Sequence, residues 1–304
     1  MTYDAVLIAG PTASGKSQAA LAVGSAIAAG IVNADAMQIY RELRILTARP
    51  SDDEMARAPH RLYGHVSVNE AYSVGRYQTD AAQVLKDLRD DCRVPVFVGG
   101  TGLYFTALTK GLVDIPPIPA STRAVVRAKF DALGADTFHR ELMNSDPATA
   151  GKLRASDRQR MLRAAEVLEA TGRPLAIWQQ GPSRPVLDRL RVAKFVLDVP
   201  RETLRARIEA RFRRMVGQGA LDEIAALEAI DPALPAAKIL GARELMALRK
   251  GLVADDVAIA RAITLTCQYA KRQATWARHR MADWTWISET ESNKIIAEIL
   301  RHLA

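Results

Sequence analysis

Eight residues near the start of the chain limit its fold more than any other stretch. Gly10-Pro11-Thr12-Ala13-Ser14-Gly15-Lys16-Ser17 fits the pattern G-x-x-x-x-G-K-[ST] at every position. An apolar run, Ala5-Val6-Leu7-Ile8-Ala9, precedes it and reads as a buried parallel strand. A small-residue segment, Ser17 to Ala29, follows it and reads as a helix. The glycines let the backbone wrap closely around an anion, and the N–H groups at a helix start carry partial positive charge. Lys16 is placed to reach the outer phosphate oxygens, and Ser17 is expected to hold Mg²⁺. The pattern does not say which phosphate ester is held. ATP or GTP is the usual occupant, so a nucleotide-binding kinase or NTPase is the first reading.

The rest of the chain extends that beginning. Ile31 to Ala34 leads to Asp35 and predicts a second strand. Residues 47–68 look irregular. Val74 to Asp91 has helical periodicity, with Tyr77, Ala81, Val84, Leu85 and Leu88 on one face. Val94 to Val98 predicts a third strand, ended by Gly99-Gly100-Thr101-Gly102. This alternation predicts an α/β fold, a P-loop NTPase-like doubly wound parallel sheet. After the breaker-rich Ile115-Pro116-Pro117-Ile118-Pro119 the signals become helical as far as Gln180. Strand character returns at Ala193 to Val199, then helix from Pro200, with a last short strand at Trp284 to Ile287. The expected organisation is a core of residues 1–114 and 191–304 around a helical insertion domain of residues 115–190.

Composition excludes several classes. Among 304 residues, 49% are hydrophobic and 25% charged, which rules out wholesale disorder. The longest apolar stretch, Ala19 to Val32, is too short to span a bilayer, so no membrane association is expected. Cys92 and Cys267 have neither metal-ligand spacing nor a disulfide framework, and the start lacks the basic region of a secretory signal. The expected location is cytoplasmic. The formal charge of +8 is uneven: residues 201–280 hold fifteen Arg or Lys and nine Asp or Glu. That excess permits a polyanionic partner.

A kinase of the P-loop class normally ends a neighbouring strand in an Asp that assists Mg²⁺. Here the strand Val94 to Val98 ends in Gly99-Gly100-Thr101, and the acid is Asp35 after the second strand. In a doubly wound sheet both positions face the ligand crevice. Asp35 could instead cap the next segment, and Thr101 could be a turn residue. Arg207, Arg211 and Arg214 share one helical face, which is either functional or a solvated basic surface. Arg272, Trp276 and His279 also share a face, with Lys271 and Arg278 on a neighbouring one. Basic side chains around an aromatic suit RNA phosphates and a stacked base, although a core Trp on a plain helix gives the same pattern.

Taken in order and spacing, Gly10–Ser17, Asp35-Ala36-Met37-Gln38-Ile39-Tyr40, Thr47-Ala48-Arg49-Pro50, Gly99–Tyr104 and Arg207–Phe212 resemble the tRNA dimethylallyltransferases, most nearly the bacterial ones. The likeness runs from the first strand to about Trp286. One departure stands out: Ala36 occupies a position where the family usually has Ser. The resemblance implies transfer of a dimethylallyl group from dimethylallyl diphosphate to N6 of the adenosine just 3′ of the anticodon (position 37), releasing diphosphate. It implies Asp35, Thr101 and Arg211 as catalytic residues, and Gly10, Thr12, Ala13, Ser14, Gly15, Lys16 and Ser17 as the diphosphate site. It further implies contact with the tRNA anticodon stem-loop through three groups of residues. The first comprises Asp35, Ala36, Met37, Gln38 and Thr101. The second, in the insertion, comprises Arg123, Gln159, Arg160 and Arg163. The third comprises Lys238, Gly241, Arg243, Lys271, Arg272, Gln273, Trp276 and Arg278. Mg²⁺ is the expected cofactor and a monomer the expected state. The competing reading is a small-molecule or nucleoside kinase using the same loop.

Overall fold

A computed structural model describes residues 3–304. In chain order its elements begin with β1 (Ala5–Ala9), α1 (Lys16–Ala26), β2 (Gly30–Asn33), α2 (Asp52–Arg57), β3 (His60–Arg61), α3 (Val74–Asp90), β4 (Pro95–Gly99) and α4 (Gly102–Thr109). Next come β5 (Leu112–Val113), α5 (Ala120–Leu133), α6 (Ala135–Ser145), α7 (Pro147–Ala150), α8 (Arg158–Thr171), α9 (Leu175–Trp178) and β6 (Ser183–Arg184). The chain continues through β7 (Val192–Leu197), α10 (Arg201–Gly217), α11 (Ala220–Glu223), α12 (Ala242–Arg249), α13 (Asp255–Arg280), β8 (Thr285–Ile287) and α14 (Ser292–Leu303).

The first compact unit comprises, among the described residues, 3–109 and 186–304. Its six strands run in the order β3-β2-β4-β1-β7-β8, every neighbouring pair parallel. The expected strands are β1, β2, β4, β7 and β8, and the sheet is doubly wound. Alternate residues of β1 feed opposite faces, as the pleat requires. Leu7 enters one core with α3, α4, α10 and α13, while Val6 and Ile8 enter another with α1 and α14. Both faces are therefore covered, which explains why the strands read as continuous apolar runs. The apolar face of α3 is the expected one: Tyr77, Ala81, Val84, Leu85 and Leu88 are its buried residues.

Some local expectations fail for identifiable reasons. Residues 47–68 are not wholly irregular. Ser51 caps α2 by accepting from Glu54 N, and Glu54 returns a carboxylate to Ser51 N. The following residues add β3 to the sheet edge beside β2. Helix α1 stops at Ala26, short of Ala29, because the chain turns through Ala28 (φ 50°) to enter β2. Helix α14 had no counterpart in the sequence reading, although Ile295, Ile299 and Leu303 repeat every four residues and bury one stripe.

The second compact unit is residues 110–185. Helices α5, α6 and α8 bury Val126, Phe130, Phe138, Leu142, Met161 and Leu162 in a core of their own. Antiparallel pairing of β5 with β6 closes the unit at its ends. Its limits fall ahead of the expected 115–190, because the pairing starts at Leu112 and because Val186 N and Leu187 N donate to Ala107 and Leu108 of α4.

Candidate active site

The P-loop joins β1 to α1 next to β4, at the point where the winding of the sheet changes direction. Its backbone is bent as anion wrapping needs. Gly15 sits at φ 92°, a conformation glycine adopts freely, and Ala13 is held at φ 64°. Ser14 is fully buried, and its Oγ has no partner among the described residues, so a polar atom inside the loop is left for a ligand. Lys16 donates to Pro11 O at 3.2 Å. Burial pushes its ammonium down to about 8, opposed by the charge of Asp35 and assisted by that of Arg211.

Helix α10 closes the loop from the other side. Arg211 Nη2 donates to Thr12 Oγ1 at 2.5 Å. Burial lowers the Arg211 pKa and the charge of Asp35 opposes that shift. Arg207, one turn earlier, donates to Ala13 O at 3.4 Å and to Thr290 O at 2.6 Å. It thus braces the strained loop residue. Arg214, the third member of that row, is exposed.

Asp35 emerges from β2 and is buried. Asn33, itself fully buried, fixes it: Oδ1 accepts from Asp35 N at 2.9 Å, and Nδ2 donates to Asp35 O and Leu62 O, each at 3.0 Å. Asp35 Oδ1 accepts from Met37 N at 3.0 Å. The turn after β4 meets it here, because Thr101 Oγ1 accepts from Ala36 N at 2.8 Å. Three tyrosines complete the surroundings. Burial raises the phenols of Tyr63, Tyr104 and Tyr269, and the Asp35 charge raises each further. A buried carboxylate, two half-buried cations and three tyrosines thus meet at the strand ends.

Close approach explains the glycines of Gly99-Gly100-Thr101-Gly102. A Cβ on Gly99 would lie 2.0 Å from Ala34 O, one on Gly100 2.0 Å from Gln273 Nε2, and one on Gly102 2.3 Å from the Trp276 ring. Each glycine admits a different neighbour, and together they bring β2 and α13 onto the β4 turn. β4 ends in this turn, and the hydroxyl of Thr101 stands where a kinase of this class would offer a carboxylate.

The remaining anticipated residues divide by position. Lys238, Arg243, Lys271, Arg272 and Arg278 are exposed, and Trp276 is half-buried over Gly102. Arg278 pairs with Asp198 at 3.4 Å. Gly241 is buried at φ 81°, where a Cβ would lie 2.9 Å from Phe212 of α10. In the second unit Arg123, Gln159 and Arg160 are exposed and Arg163 is half-buried. Two side-chain amides of the anticipated RNA set are bonded to protein backbone. Gln38 Nε2 donates to Thr47 O at 3.0 Å and to Ala48 O at 2.6 Å. Gln273 is buried, with its amide oxygen on Thr12 N and its amide nitrogen on Gly100 O. The sequence reading missed Asn33 and Glu223. Glu223 accepts from three successive backbone N–H groups, those of Arg44, Ile45 and Leu46, at 2.6–2.9 Å, and so anchors the segment that follows Asp35.

Comparison with known proteins agrees with this geometry. The family model for IPP transferase matches residues 38–280. The chain belongs to that family. It is 47% identical over 294 residues to the tRNA dimethylallyltransferase of Bradyrhizobium sp. (strain ORS 278), covering 96% of both chains. It is 49% identical over 298 residues to that of Parvibaculum lavamentivorans, covering 97% of this chain and 94% of the relative. The crystal structure of the full-length tRNA isopentenylpyrophosphate transferase from Bacillus halodurans superposes with a TM-score of 0.69 at 29% identity. That match covers 99% of this chain and 95% of the other. The α/β core with its P-loop is thus a prenyltransferase scaffold in this family. Among the described residues no three or more His, Cys, Asp or Glu side chains form a cluster suited to a metal. No helix among them is long and apolar enough to cross a membrane.

Proposed function

We propose that the chain transfers a dimethylallyl group from dimethylallyl diphosphate to N6 of the adenosine 3′-adjacent to the anticodon of tRNA, position 37. The observation that carries this reading is that the charge of Asp35 acts on both Lys16 and Arg211, with Thr101 rather than a carboxylate on the neighbouring strand end. Breaking the C–O bond sends its electron pair onto diphosphate, so negative charge grows on the P-loop side. Lys16, Arg211 and the loop N–H groups answer that charge in a fixed arrangement. The N6 lone pair is delocalised into the ring, so N6 must lose its proton as the N–C bond forms. Asp35 Oδ1 is engaged by Met37 N, and Oδ2 is the oxygen we assign to that proton. Thr101 Oγ1 accepts from Ala36 N on one lone pair, and it orients N6 by accepting from N6–H on the other or donates its hydroxyl hydrogen to a diphosphate oxygen.

Mg²⁺ fits this site. It commonly binds through few protein ligands together with substrate phosphates. The Ser17 hydroxyl at the start of α1, beside a loop holding an orphaned Ser14 Oγ, is such a sparse donor set. When bound, the ion neutralises charge on the departing diphosphate. The RNA arrives through the exposed cations of α12 and α13 and, on the second unit, exposed Arg123 and Arg160 with half-buried Arg163. Residues 110–185 hold the anticodon arm, and the target base leaves its stack to reach Asp35. The cytoplasm is the site of action, and a single copy supplies every group named here.

One incubation tests the reading: labelled dimethylallyl diphosphate, Mg²⁺ and unmodified anticodon stem-loops with adenine or guanine at the target. Label is expected on the adenine stem-loop alone. Phosphate transfer from ATP with no prenyl transfer overturns it in favour of a kinase.

A further inference from the structure

Helix α13 buries a stripe of small residues, Ala262, Thr266, Ala270 and Ala277, and Gln273 lies in register with them. Its exposure is 9%, whereas Lys271 and Arg272 beside it are exposed. Its amide bridges two parts of the crevice that the reaction uses separately. Oε1 accepts from Thr12 N at 2.8 Å, on the loop residue whose hydroxyl meets Arg211. Nε2 donates to Gly100 O at 2.9 Å, one residue before Thr101 and its bond to Ala36 N. Gly100 is what permits the approach, since a Cβ there would lie 2.0 Å from Nε2. Tyr269, one turn earlier, lies beside the side chains of Gln273 and Thr101, which hold its phenol pKa down against the effect of burial. A primary amide suits this place because one end must accept and the other must donate.

We infer that Gln273 is a positioning residue for the transfer, its amide fixing the distance between the leaving-group cradle at Thr12 and the Asp35–Thr101 side. This rests on the reaction proposed above. The two ends of the new N–C bond are held by different strands, the diphosphate after β1 and the base after β2 and β4. Gln273 ties those strand ends together from a third element. Reacting atoms must meet at about 3–3.5 Å, and a misplacement of about 1 Å costs roughly 10²-fold in rate.

Two variants of the full chain test this, Gln273→Met, which keeps length and loses both bonds, and Gln273→Glu. Each is followed for label transfer from dimethylallyl diphosphate at saturating stem-loop, for stem-loop affinity by filter binding, and for melting temperature. Gln273→Met should lower the saturating rate roughly 10²-fold with stem-loop affinity within about two-fold of wild type. Gln273→Glu should be similarly slow at about pH 8.5 and regain rate relative to wild type towards about pH 6, because burial raises a carboxyl pKa. The protonated acid again offers one donor and one acceptor. A residue that merely supported the fold would not follow that proton. Wild-type saturating rates in both variants overturn the inference. So does a loss that excess stem-loop restores, which would place Gln273 on the RNA, and so does a Gln273→Glu rate whose ratio to wild type is flat with pH. Any of these with label transfer by the wild-type chain overturns the role of Gln273 alone. Absence of transfer by the wild type overturns the reaction and this role with it.

Discussion

Gly99→Ala places one methyl group against the residue that precedes the carboxylate. Its Cβ would lie 2.0 Å from Ala34 O, 2.1 Å from Ala34 C and 2.8 Å from Ala34 Cα. All three are backbone atoms of the β2 end, so no side chain can rotate aside. Reaching ordinary van der Waals contact parts the strand ends by more than 1 Å. Ala34 O also accepts from Thr101 N at 3.1 Å, and that bond is broken by the same movement. Overpacking of this kind costs about 1–3 kcal/mol, and the lost bond about 1 kcal/mol more. At ~2–4 °C per kcal/mol, melting should fall by several degrees to about 15 °C. The chemical effect should be larger than the fall in folded fraction. Asp35 follows Ala34 directly, and a shift of about 1 Å at a reacting group removes roughly 10²-fold in rate. Single-turnover label transfer at saturating substrates, set beside a melting curve, separates the two effects. Gly75→Ala is the control, since its Cβ would meet nothing nearer than Ser73 Oγ at 3.7 Å. A Gly99→Ala chain that keeps wild-type saturating turnover would refute the idea that the packing of these strand ends holds Asp35 in place.

Other changes reach the remaining groups. Asp35→Asn keeps an oxygen for Met37 N but cannot take a proton, so turnover should fall ~10²- to 10⁴-fold with stem-loop affinity unchanged; an affinity loss that accounts for the slower rate would contradict the role. Lys16 is held near 8 by burial, and a bound diphosphate favours its charged form. Dimethylallyl diphosphate binding therefore takes up a proton above that pH, so calorimetric affinity should be flat below about 8 and weaken as pH rises through it, while Lys16→Met removes the dependence. Arg278→Ala should reduce the slope of log affinity for the stem-loop against log salt by about 1, and an unaltered slope places Arg278 off the RNA. Replacing residues 110–185 with a short linker, at ends held by Leu187 N on Leu108 O, should abolish stem-loop binding and spare dimethylallyl diphosphate binding; loss of both contradicts the division of labour.

How far the sequence discloses this site depends on how local each cause is. The P-loop is legible because wrapping an anion needs glycines and a lysine within eight neighbouring residues. The buried face of α3 is legible because a helix repeats every 3.6 residues and its polar side is strongly marked. The turn Gly99-Gly100-Thr101-Gly102 is only half legible. Its glycines announce a turn, yet the reasons for them are Ala34, Gln273 and Trp276, up to 174 residues away along the chain. Glu223 is the extreme case. A glutamate next to an aspartate at the end of a four-residue helix carries no local mark, and its three N–H partners lie on residues 44–46.

Gln273 shows a third situation, in which the signal is present and easily misread. Its neighbours Lys271, Arg272 and Arg278 make the segment look like one RNA-facing run, and by residue type a glutamine belongs among them. The phase of α13 separates them. Counting back from Ala277 by three and four residues gives Gln273, Ala270, Thr266 and Ala262, a stripe of small or uncharged side chains that also contains the glutamine. Helical position therefore assigns Gln273 to the sheet side and its charged neighbours to solvent, before any contact is considered. A polar side chain on such a stripe must find partners, because leaving a buried amide unpaired costs about 1–3 kcal/mol. Backbone groups of two glycine-lined loops supply them, and they are the loops between which we place the reaction.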